Sequence, residues 1–75
     1  MSEIHSVVFL TPYWDTKDAR KWLASHDLKP IKKVHKVVVD DRITQLRYRI
    51  RDPQMFSRFI TKALPNHINL VIGFE

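Results

Sequence analysis

The chain predicts an α+β domain of the ferredoxin-like split βαβ type, β-α-β-β-α-β, with a four-stranded antiparallel sheet and two helices on one face. Three observations lead there. Strand-type segments occupy residues 4–10, 31–39, 43–51 and 68–74, the last two alternating with period two; helix-period stripes lie between them at 15–26 and 53–64, and 75 residues leave room for a single core. The whole chain, residues 1–75, therefore reads as one small domain.

Residues 4–10 form the first strand, with Val7, Val8, Phe9 and Leu10 apolar on both faces as a central strand requires. Thr11-Pro12 ends it. Asp15 or Thr16 caps a helix in which Ala19, Trp22, Leu23 and His26 recur at i, i+3, i+4 and i+7, and His26 falls at the C-terminal end, where partial positive charge is favoured. Residues 28–30 break the pattern. A hairpin follows, with strands 31–39 and 43–51 around Asp40-Asp41-Arg42; without Asn-Gly or Asp-Gly at the tip, a three- or four-residue loop is as acceptable as a two-residue one. Asp52-Pro53 is a strong helix start, and Met55, Phe56, Phe59, Ile60, Ala63 and Leu64 supply the stripe of a second helix, which Pro65 stops. Ile68, Leu70, Ile72 and Phe74 alternate in a last strand.

The packed sheet face is then expected to hold Ile4, Val8, Leu10, Leu46, Tyr48, Ile50, Ile68, Leu70, Ile72 and Phe74, and the open face His5, Val7, Phe9, Gln45, Arg47, Arg49, Asn69 and Val71. The cations of residues 44–51 deserve separate notice. Leu46, Tyr48 and Ile50 point one way while Arg47, Arg49 and Arg51 point the other, and three guanidiniums in one row repel unless an anion or water lies among them.

Thirteen Lys and Arg against eight Asp and Glu give a formal charge of +5, a large positive potential for so short a chain. Such a balance suits nucleic acid, an acidic protein or an anionic membrane surface equally well. The positions favour nucleic acid, DNA or RNA: Phe9 beside Arg47 and Arg49 offers a stacking ring with backbone-neutralising cations. Arg51, Lys32, Lys36 and Arg58 complete the expected set. With about five phosphates neutralised, affinity for duplex DNA falls with salt at a log-log slope of about −4 to −5. Lysines on a hairpin edge also deter edge-to-edge aggregation, which explains Lys32, Lys33 and Lys36 more readily than the arginines of an interior strand. A protein-interaction or structural module, in which the same face or an unpaired hairpin edge docks on an acidic or apolar partner or on a second copy of the chain, is the alternative.

Other chemistries find little footing. His5, His26, His35 and His67 lack metal-site spacing, Gly73 is the single glycine and cannot build a phosphate-cradling loop, and Ser6, Ser25 and Ser57 have no nucleophile context. Trp14 and Trp22 read as core or staple residues before they read as a stacking platform. No catalytic, metal or cofactor residue is assigned, and a non-enzymatic domain is expected. The absence of cysteine favours an intracellular setting, and residues 1–10 contain neither a cationic leader nor more than a short apolar run, so no signal peptide or membrane span is expected.

Trp14, Ala19, Trp22-Leu23, His26, Lys29-Pro30-Ile31-Lys32, Arg47-Tyr48-Arg49-Ile50, Asp52-Pro53, Phe56, Phe59, Thr61-Lys62 and residues 68–74 together resemble a short domain family encoded by large double-stranded DNA viruses and tailed phages. The resemblance spans most of the chain, leaving residues 37–44 longer than the usual turn. It implies a viral protein in the host cytoplasm, the nucleus or the virion, and assigns no activity.

Overall fold

The second helix expected at residues 53–64 is a strand. The computed structural model describes residues 2–75, in the order β1 (Ser2–Leu10), α1 (Thr16–Ser25), β2 (His35–Val39), β3 (Arg42–Arg49), a 3₁₀ turn (Pro53–Met55), β4 (Arg58–Leu64) and β5 (Ile68–Phe74). All five strands join one antiparallel sheet, β2-β3-β1-β5-β4, with α1 packed on one face. The architecture is therefore a five-stranded sheet with one helix, and the ferredoxin-like split βαβ is excluded.

Local chemistry at residues 52–64 explains the difference. Asp52 does cap: its carboxylate accepts from the Gln54 amide at 2.9 Å, and Pro53 opens the turn. The helix ends there after a single 3₁₀ turn. Phe59, Ile60 and Thr61 favour a pleated surface, and Pro65-Asn66-His67 closes a three-residue hairpin in which Leu64 faces Ile68 and His67 takes the left-handed conformation (φ 62°). β5 is apolar on both faces, at Leu70 and Val71 for instance, so it needs a neighbour on each side; β4 supplies the second.

A bulge at His5 sets which side chains of β1 enter the core. Ile4 pairs with Ile72 and Ser6 with Val71, so two residues of β5 span three of β1. Ile4 shares its face with Ile72, but beyond the bulge the parity reverses: Val7 and Phe9 enter the helix-side core, while Val8 faces the opposite side. The expected assignment of Val8 and Leu10 to the packed face, and of Val7 and Phe9 to the open one, is thus reversed. Across the sheet, Lys36, Leu46, Phe9, Ile68 and Leu64 form one helix-side row, and Tyr48, Val7, Leu70 and Lys62 the next.

α1 follows the expected cap and stripe. Asp15 accepts from the Asp18 amide at 2.8 Å, Ala19 and Leu23 are buried, and Trp22 meets the Phe9 ring edge-on with centroids 5.7 Å apart. Trp14 packs against the same ring and donates from Nε1 to the Asn66 carbonyl at 2.8 Å. The C-terminus closes in a Schellman arrangement. Leu28 N–H donates to Leu23 O (2.9 Å), Asp27 N–H donates to Ala24 O (3.2 Å), and Asp27 holds φ 56° where glycine is usual.

The first hairpin turns on two residues. Val39 pairs with Arg42, and Asp40 and Asp41 both have positive φ (52° and 62°), the requirement of a type I′ turn. β2 is shorter than expected, starting at His35, and residues 31–34 form a strap alongside β3 that is tied by the Ile31 amide to the Arg49 carbonyl at 2.9 Å.

Candidate anion-binding groove

The sheet face opposite α1 carries the cationic feature. Its cross-strand rows run His35, Arg47, Val8, Asn69, Ala63 and then Arg49, Ser6, Val71, Thr61. Arg47 is exposed and Arg49 half-buried, both projecting from β3 away from Leu46 and Tyr48, which are buried on the helix side. The strap brings Lys32 and Lys33 alongside. Together with His5, Ser6, Val34 and His35 these side chains line a concave groove of about 440 Å³.

Four fixed cations, Lys32, Lys33, Arg47 and Arg49, therefore border one concavity, and no carboxylate lines it. Like charges so arranged are favourable only when a counter-charge joins them, and arginine's planar fork suits phosphate or carboxylate oxygens. His5 lies at the edge of this field. Its Nδ1 and the Ser6 hydroxyl are 2.8 Å apart, its ring meets Phe59 and Phe56 at centroid distances of 5.0 and 6.1 Å, and its Nε2 is buried without a hydrogen-bond partner. Burial above all, and then the Arg49 and Arg47 guanidiniums, hold the His5 ring below its ordinary pKa of 6.5, with Asp52 opposing.

The remaining expected contacts divide among other places. Phe9 is 0% exposed, enclosed by Trp14, Trp22 and Tyr48, and cannot stack on a base. Lys36 pairs with Leu46 and so stands on the helix side, as does Arg58, which pairs with Phe74 and lies 4.9 Å above its ring. Arg51 has left the strand and sits 3.7 Å from Glu3. Of the seven expected contacts, only Arg47, Arg49 and Lys32 share the groove.

Lys33, Ser6 and His35 join it beyond the expected contacts, and His5 lines it from the open face where the sequence placed it. His35 was not legible from the turn alone: a two-residue turn pairs it with Leu46, and the register shift between Val37 and Val38 moves it opposite Arg47. The aromatic that the open face does present is Phe59, on β4 opposite Gly73 and 43% exposed.

Among the described residues no group of three or more His, Asp or Glu side chains gathers as a metal site, and no helix is long and apolar enough to cross a membrane. No family model, curated protein or solved structure matches the chain.

Proposed function

We propose that this chain is a small non-enzymatic domain that binds nucleic-acid phosphate in the groove of Lys32, Lys33, Arg47 and Arg49, in the viral setting that its sequence pattern implies. The observation that carries the reading is the gathering of these four cations around one concavity with no acidic side chain in its wall. Phosphate contacts of this kind give affinity and register with little dependence on base sequence. With Phe9 in the core, base stacking is left to Phe59 at the far end of the face. The domain is thus expected to hold backbone without reading sequence.

The test is fluorescence anisotropy of labelled oligonucleotides over a salt series. Four phosphate contacts give a log-log slope of about −3.6 on duplex DNA and about −2.8 on a single strand, shallower than the five contacts expected from sequence because four cations share the groove. Absence of binding at low salt would end the proposal.

A second reading, self-association through β4, draws on one observation. This strand is an edge with Phe59 and Ile60 43% and 48% exposed. Arg58 and Lys62 on the same strand oppose it, because cations on an edge strand disfavour edge-to-edge pairing. Light scattering at high concentration decides: this reading expects a dimer that Ile60→Lys disperses, and a monomer at all concentrations removes it.

A further inference from the structure

A second concavity lies on the other side of the strap, between the end of α1 and the helix-side face of β3. It measures about 530 Å³, within the range of small-molecule sites of about 300–1,000 Å³. Its body is aliphatic: Leu23, Leu28, Pro30 and Val34 form the wall, and the Schellman turn at Asp27 aims Leu28 back over Leu23. Arg20, Lys29 and the strap's Lys32 and Lys33 border it, against the single acidic residue Asp27.

Tyr48 closes the cavity from the sheet. The residue is 2% exposed, and its hydroxyl has no hydrogen-bond partner, an arrangement that costs stability unless something else accepts or donates. Burial raises the phenol's pKa, and the Arg20 guanidinium opposes that rise as a nearby charge and donor; arginine has no acceptor to offer, so the hydroxyl's own proton has no partner. An orphaned donor, flanking cations and an aliphatic wall make complementary demands on one occupant.

We propose that this cavity binds a small aliphatic carboxylate, its hydrocarbon body against Leu23, Leu28, Pro30 and Val34 and its anionic head between the Tyr48 hydroxyl and Arg20. Tyr48 donates one hydrogen bond and Arg20 supplies charge-assisted ones, while the apolar tail is removed from water. Few aromatic surfaces line the wall, so a stacked base is a poorer fit than an alkyl chain. The site lies across the strap from the Arg47–Arg49 groove and shares Lys32, Lys33 and Val34 with it, but its head-group contacts, Tyr48 and Arg20, belong to this cavity alone.

The experiment is titration of the full, isotope-labelled chain with sodium octanoate and, in parallel, with 1-octanol, following backbone amide shifts. Octanoate is expected to give saturable shifts centred on Arg20, Ala24, Leu28 and Lys29, with octanol at least about tenfold weaker because it lacks the charge. Ala24→Trp fills the cavity from an exposed helix position and abolishes the shifts, and Arg20→Gln or Tyr48→Phe each weakens octanoate by about three- to tenfold. Circular dichroism confirms that the variants fold, and Arg20→Gln, an exposed substitution, serves if Ala24→Trp does not. Absence of saturable shifts, octanol binding as well as octanoate, indifference to these substitutions, or shifts centred instead on Arg47 and His35 would each overturn the proposal.

Discussion

At the residue scale, His5 couples the core to the groove. Its ring is buried among Phe56, Phe59 and Ser6, and it feels Arg49 and Arg47 on one side and Asp52 on the other. Because its native pKa lies below 6.5, the unfolded chain takes up a proton first as pH falls. His5 therefore contributes no pH dependence well above 6.5, and stability declines as pH drops from there toward the lowered native pKa, below which its contribution is flat again. Thermal melts across pH 5–8 should show that decline. An anion on Arg47 and Arg49 removes part of the charge that depresses the ring, so the NMR titration midpoint of His5 is expected to rise when an oligonucleotide is bound; an unmoved midpoint in a saturated complex would place the ligand elsewhere. The same residue explains what sequence alone misassigned. A one-residue bulge moves every later side chain of β1 to the other face, and nothing in the run 4–10, apolar on both sides, marks where that slip occurs. Phe9 was consequently expected in the solvent and lies in the core.

At the element scale, segments whose local pattern agrees with their long-range pairing were legible, and the one whose pattern runs against it was not. The parity of β3 is unambiguous because Arg47 and Arg49 cannot share a face with Leu46 and Tyr48, and α1 declares its cap and stripe through Asp15, Ala19 and Leu23. Residues 55–64 carry Met55, Phe56, Phe59, Ile60, Ala63 and Leu64 at helix spacing, without the alternation of a strand. Pairing with β5 overrides that spacing, a long-range contact that local pattern does not encode. The Pro65-Asn66-His67 hairpin was the available signal, and it admits a helix stop equally well. The Asp40-Asp41 turn carries a testable cost, since both residues hold positive φ without being glycine or asparagine. Replacing them together by Asp40→Asn and Asp41→Gly should stabilise the hairpin by about 0.5–1 kcal/mol. That gain corresponds to a melting temperature higher by about 2–8 °C for a domain of this size. An unchanged or lowered melting temperature would contradict the type I′ assignment.

At the scale of the whole molecule, one sheet separates two surfaces of different character. The helix side buries Phe9, Tyr48, Leu23 and Ile68 and bears Lys36 and Arg58 at its margins; the far side presents Arg47 and Arg49 with the strap lysines. A net charge of +5 predicts affinity for polyanions in general, but it does not say where they bind. The sheet does, by dividing the cations between faces. Two charge-reversed proteins of equal net charge therefore test the central claim: Arg47→Glu with Arg49→Glu on the groove side, and Lys36→Glu with Arg58→Glu on the helix side. Measured by anisotropy at one low salt concentration, with circular dichroism confirming both folds, the groove pair is expected to lose oligonucleotide binding while the helix-side pair keeps most of it. Equal losses in the two proteins, or retained binding in the groove pair, would contradict a phosphate site in the groove.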